Sequence, residues 1–120
     1  ICPINSGKYT ISAYYGDGRN HKAIDLAADR GVAIFAAAAG KVTYAGYDGD
    51  FGYNVIIDHG NGMKTRYAHA SALCVSKGAK VSQGDMIAAV GNTGYSTGNH
   101  LHFGIAKDGT YVNPRLYLDF

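Results

Sequence analysis

Apolar and polar residues alternate with period two over short stretches, and glycine-rich turns separate the stretches. Residues 9–14 (YTISAY) predict an entry strand, turned by Gly16-Asp17-Gly18. Val32 to Phe35 predicts a short apolar strand. The four alanines after it are too few for a stable helix before Gly40, so they predict close packing between sheets. Residues 41–45 predict a strand and 46–52 a Gly- and Asp-rich loop. Asn54 to His59 is the clearest buried strand, and Gly60-Asn61-Gly62 turns it into a return strand from Met63 to His69. Strict alternation on that strand places Thr65, Tyr67 and His69 on one face, with Tyr67 and His69 in the same pocket. Residues 70–79 predict a surface connection with a helical turn over 70–73. Strand segments at Val81, 86–90 and 100–106 follow, then a hairpin turn at Asp108-Gly109. The chain is thereby predicted to be all-β, with mostly antiparallel sheets and little helix.

The chemistry enters with His100-Leu101-His102-Phe103, after the glycine-rich run 91–98. Side chains two apart on a strand point the same way, so both imidazoles face one pocket while Leu101 and Phe103 face the core. Paired imidazoles suit a metal ion, and His21 with Asp25 supplies further ligands. Three protein ligands and an open position are the arrangement of catalytic zinc. This pattern leaves open which of His100 and His102 is the ligand. It also leaves nickel, iron and manganese open. His69 and the non-ligating member of the pair are candidates for moving a proton or stabilising an oxyanion. His59 and Asp58, at a strand end against a turn, read as structural hydrogen-bonding groups.

Composition narrows the options. All nine acidic residues are Asp, which excludes the HExxH solution and its general-base Glu. A formal charge of +2 argues against a dedicated nucleic-acid binder. The longest apolar run, 32–39, is too short to span a membrane. The 120 residues fit one domain, and the abrupt start at Ile1-Cys2-Pro3 suggests excision from a longer secreted protein. Cys2 and Cys74 have no metal-motif spacing and stand open between a disulfide and two free thiols. No G-x-S-x-G surrounds Ser96, and neither cysteine has the context of a nucleophile.

Three blocks in this order, His21-x-x-x-Asp25, Tyr67-Ala68-His69-Ala70-Ser71 and the glycine-rich lead-in to His100-Leu101-His102-Phe103, resemble the M23 peptidase family of lysostaphin- and LytM-type zinc metallopeptidases. The resemblance runs from about Tyr14 to Tyr117. It implies one Zn2+ held by His21, Asp25 and His102, with His69 and His100 as catalytic histidines. It further implies a groove over an antiparallel sheet, walled by loops at 46–52 and 91–99, near Asn54, Tyr67, Tyr95 and Ser96. Two positions depart from the family pattern: Ala23 stands where Gly is frequent, and Gly104 where Glu is frequent.

The implied activity is hydrolysis of peptide bonds in the stem or cross-bridge peptides of bacterial peptidoglycan by a metal-activated water. The implied setting is secreted, cell-wall associated or extracytoplasmic, with regulatory or targeting domains elsewhere in a parent chain. A catalytically silent wall-binding or partner-activating module on the same scaffold is the alternative. Such modules commonly lose a ligand or a catalytic histidine, and this chain retains the full set.

Overall fold

The computed structural model describes residues 1–18 and 20–120. Ten strands are linked into one antiparallel network: β1 (Thr10–Ala13), β2 (Ile24–Ala27), β3 (Ala33–Phe35), β4 (Gly40–Asp48), β5 (Gly52–Gly60), β6 (Met63–Leu73), β7 (Lys80–Val81), β8 (Met86–Val90), β9 (His100–Lys107) and β10 (Thr110–Val112). The main path runs β1-β2-β9-β6-β5-β4-β7, with β10 on β9 and β8 bridging β3 and β6. Helix among the described residues amounts to two single 3-10 turns, Gly49–Phe51 and Pro114–Leu116. The expected all-β class and its antiparallel pairing are the observed ones.

Two local expectations require correction. Residues 46–48 continue β4 rather than opening a loop, because Gly46, Tyr47 and Asp48 pair with Asn54, Tyr53 and Gly52 of β5. Only Gly49–Phe51 turns away from the ladder. Residues 70–73 are strand rather than helical turn, because β8 supplies partners for Ala70, Ala72 and Leu73. Both errors share a cause. Local pattern carries no trace of a partner strand distant in sequence, and such a partner overrides weak local preference.

The core lies under one face of the β2-β9-β6-β5 sheet. Ile24 and Leu26 of β2, Leu101 and Phe103 of β9, Tyr67 of β6 and Val55 and Ile57 of β5 are fully buried there. Ala36 and Ala37 are buried in the same core, consistent with the close packing expected of the alanine run. Cys2 and Cys74 are free thiols. No helix among the described residues is long and apolar enough to cross a membrane.

Candidate functional site

The site grows from the β2–β9 ladder. Pairing sets Asp25 opposite His102 and Ala27 opposite His100. Leu101 and Phe103 are buried on the core face, so both histidines project from the other face. Asp25 Oδ1 lies 3.0 Å from His102 Nδ1, and Oδ2 lies 3.3 Å from His21 Nε2 and 3.8 Å from His100 Nε2. His21 reaches the cluster from the turn before β2. Its carbonyl accepts from the Gly16 amide at 2.7 Å, and its Nδ1 sits 2.9 Å from the Tyr14 carbonyl. A proton on Nδ1 donated to that carbonyl leaves the Nε2 lone pair aimed at Asp25, the second-sphere arrangement of metal-binding histidines.

His21, Asp25 and His102 offer donor atoms that all lie within 4.8 Å of one another. A tetrahedral ion with bonds of about 2.0–2.1 Å separates its ligand atoms by about 3.3 Å, so the cluster fits a single zinc with little adjustment. One carboxylate against two neutral imidazoles leaves such an ion a net positive charge. Burial alone raises the Asp25 pKa, but the His102 hydrogen bond and the nearby imidazoles outweigh it and hold the carboxyl below its ordinary 3.8. Asp25 is therefore ionised and ready to bind a cation.

His69 arrives by a route that strict alternation does not foresee. Its φ is +65°, in the left-handed region that a β-carbon disfavours. Here β6 carries one extra residue against β5, whose Tyr53 and Val55 pair with Ala70 and Tyr67. Here, too, β6 exchanges its neighbour: Ala68 is the last residue on β9, and Ala70 the first on β8. The bulge turns His69 away from the core face. Its ring lies 4.8 Å from that of His100 and 5.7 Å from that of His102. Tyr67, two positions earlier, packs its ring 5.3 Å from Phe103 in the core.

One loop orients both imidazoles that lie outside that donor cluster. Thr93 offers its carbonyl to His69 Nδ1 at 2.7 Å, and Gly98 offers its carbonyl to His100 Nδ1 at 2.9 Å. With Nδ1–H donated in each case, both rings carry a bare Nε2. The loop is itself pinned. The Thr93 hydroxyl donates to the Ala70 carbonyl at 2.6 Å and accepts from the Tyr53 amide at 3.1 Å. Gly94 presses against the 49–52 turn so closely that a β-carbon on it would collide with the Gly52 nitrogen. Burial pushes the His69 pKa down from 6.5, and His100 and His102 add to this against opposing contributions from the Thr93 carbonyl and Asp25.

These groups line a cleft of about 370 Å³ that holds His21, Asp25, His69, His100 and His102, with Tyr95 and Ser96 on its rim. The Ser96 hydroxyl stands 3.2 Å from His100 Nδ1. Asn54 and Tyr67, expected near the groove, are not among the residues that line this cleft. Asn54 is fully buried and donates to the Gly52 carbonyl at 3.0 Å. The Tyr67 hydroxyl accepts from the Ala37 amide at 3.0 Å and lies 2.7 Å from Thr65 Oγ1; burial pushes its pKa up to about 12. His59 completes that internal chain, with Nε2 2.7 Å from Thr65 Oγ1 and Nδ1 2.8 Å from the Ala39 carbonyl. Its structural reading stands, as does that of Asp58, which accepts from the Gly60 amide at 2.9 Å. The expected wall loops at 46–52 and 91–99 supply Asp50, Phe51 and Thr97 to the lining without sequence reasoning having singled them out, and it missed Thr93 as the orienting group. The glycine-rich runs holding them were the available signal.

The sequence model of peptidase family M23 matches residues 19–114, which takes in every residue of the metal cluster and the two further imidazoles of the cleft. The chain belongs to peptidase family M23. It is 45% identical over 96 residues to the DD-carboxypeptidase/endopeptidase Mpg of Neisseria meningitidis serogroup B, a match covering 80% of this chain and 22% of that protein. Its fold is similar to the crystal structure of a zinc-containing peptidase from Vibrio cholerae, with a TM-score of 0.90 and 29% identity over 99% of this chain and 39% of that one. It is also similar to the antimicrobial peptidase lysostaphin from Staphylococcus simulans, with a TM-score of 0.86 and 29% identity over 92% of this chain and 49% of that one. The chain thus spans about a fifth of the length of Mpg.

Proposed function

We propose that this M23 domain is a zinc-dependent endopeptidase that hydrolyses peptide bonds in peptidoglycan peptides, acting as the catalytic module of a longer secreted or cell-wall-associated protein. The observation that carries the reading is the convergence in one cleft of a His, Asp, His donor set and two further imidazoles, each held with a bare Nε2. The names of the relatives add the substrate class. A DD-carboxypeptidase/endopeptidase shares 45% of the aligned residues, and a peptidoglycan DD-endopeptidase of Vibrio cholerae shares 38%. Among peptidoglycan bonds, these favour the stem-peptide cross-link over a glycine bridge.

His21, Asp25 and His102 hold the ion in this reading. When bound, zinc supplies Lewis acidity that lowers the pKa of water and polarises a carbonyl. The chain supplies the rest. His69, anchored on Thr93, accepts a proton from the attacking water at Nε2. His100, anchored on Gly98 with its ring 4.8 Å from that of His69, takes that proton over at Nε2, stabilises the developing oxyanion as a cation and passes the same proton to the departing amine. Asp25 spreads its charge over the surrounding rings and keeps the cluster in place. A further hollow lined by Ser12, Ala13 and Asn99 shares Asp25 and His100 with the cleft, which extends the groove along β1 for a peptide lying across the sheet.

The test is digestion of purified peptidoglycans that differ in cross-link chemistry, with mass spectrometry of the fragments. Zinc-loaded protein, chelated protein and the His69→Ala variant are compared. New amine and carboxylate ends made only by the intact, zinc-loaded protein establish the activity and identify the bond. No cleavage of any wall despite stoichiometric zinc moves the reading to a silent wall-binding or partner-activating module.

A further inference from the structure

Beside the cleft, Lys22, Phe51, Arg66, His102 and Tyr111 enclose a second pocket of about 190 Å³. It shares Phe51 and His102 with the cleft, so the two adjoin. Register explains the position of Arg66. On the face carrying His102, Arg66 of β6 pairs with Gly104 of β9, one strand repeat beyond the Ala68–His102 pair. That sets the two side chains diagonally across neighbouring strands, about 7–8 Å apart at their origins.

Among the described residues, Arg66 is a cation without an anion. Gly104 presents no side chain to it, and the Tyr111 ring occupies the space above that glycine, where an added β-carbon would come within 2.8 Å of the ring. Among the described residues Arg66 makes no ion pair, and its Nε is buried without a hydrogen-bond partner. The guanidinium is nevertheless held in place, 4.0 Å above the centre of the Phe51 ring and 5.9 Å from that of Tyr111. A fixed planar donor fork, a partly dry aromatic enclosure and a second cation at Lys22 are the requirements for binding a carboxylate.

We propose that Arg66 and Lys22 form a carboxylate-binding subsite that selects peptides carrying a free carboxylate close to the scissile bond. The inference rests on the peptidase reading above and sharpens it. Stem peptides carry side-chain and terminal carboxylates, whereas the interior of a glycine bridge carries none. The subsite therefore makes acidic stem peptides the substrate and leaves amidated stems and glycine bridges disfavoured.

The experiment uses synthetic DD-linked stem peptides in which each free carboxylate in turn is replaced by a carboxamide. For zinc-loaded protein, one such replacement lowers kcat/KM by about ten- to a hundredfold, the range for a charge-assisted hydrogen bond. In Arg66→Gln the acid-to-amide ratio falls to near one, while Arg66→Lys retains part of it. A wild-type protein indifferent to every amidation overturns the proposal, as does an undiminished ratio in Arg66→Gln. Binding of the same uncut peptides to zinc-loaded His69→Ala protein separates the two readings. Carboxylate-dependent binding without hydrolysis by the wild type sinks the peptidase assignment and keeps the subsite. Hydrolysis without carboxylate dependence does the reverse.

Discussion

Tyr67 and His69 stand two positions apart on one strand and face opposite sides of the sheet. The positive φ of His69 separates them, and with it a buried structural hydroxyl is separated from a cleft imidazole. That backbone conformation costs a residue with a β-carbon about 1–2 kcal/mol, and it persists because β8 and β9 hold the strand on either side.

Glycine at position 69 relieves the strain that alanine retains. His69→Gly is expected to exceed His69→Ala in stability by about 1 kcal/mol, with both inactive. Urea denaturation at equal metal loading provides the comparison, and equal midpoints would show that the bulge stores no strain.

Metal content should divide the five site residues into two groups. Zinc measured after dialysis falls away in His21→Ala, Asp25→Ala and His102→Ala, together with activity. His69→Ala and His100→Ala retain near-stoichiometric zinc while losing turnover by about a hundredfold or more. Loss of zinc from His69→Ala would place that ring among the ligands instead.

His69 should titrate below 6.5 in the metal-free protein, because burial and two neighbouring imidazoles oppose its charging. The sign for stability follows directly. A folded-state pKa below the unfolded one contributes stability that is full above pH 6.5 and is lost as pH falls through the folded value. NMR titration of the ring protons checks this. A His69 midpoint above 6.5 would mean that the Thr93 carbonyl and Asp25 outweigh burial.

Gly94→Ala tests the pinned loop. The new methyl group meets the Gly52 backbone at a left-handed φ of +74°, so a loss of about 2 kcal/mol or more is expected. Zinc content should hold while kcat falls, because Thr93 shifts from His69. Unfolding curves and kcat measured on one preparation decide it.

Tyr67→Phe should cost about 1–3 kcal/mol of stability by leaving the buried Ala37 amide unpaired, with KM unaltered. A raised KM would return Tyr67 to the groove.

The sequence displayed the metal cluster more clearly than the catalytic geometry. His100 and His102 needed only period-two alternation, and Asp25 reaches the same face through antiparallel register with His102. The strands at 54–59 and 86–90 announce themselves by apolar runs and flanking turns. His69 was placed with Tyr67 because alternation assumes an unbroken ladder, whereas the bulge arises where a strand passes between two partners. Asn54 was expected near the groove, and its burial depends on the fold of the 46–52 turn around it. The orienting role of Thr93 belongs to its carbonyl, a group every residue possesses, so no side-chain pattern could have announced it.

The loop at 91–99 is both a wall of the cleft and the mount of His69 and His100. The lining of that side and the pose of the two rings are consequently inherited together, and altering Tyr95 or Ser96 risks moving His69 and His100 as well. The opposite rim, built on Phe51, Arg66 and Tyr111, holds neither of the two anchoring carbonyls. Its outer members, Arg66 and Tyr111, are therefore where selection could change what this M23 domain accepts, or an engineer redirect it, without moving those carbonyls.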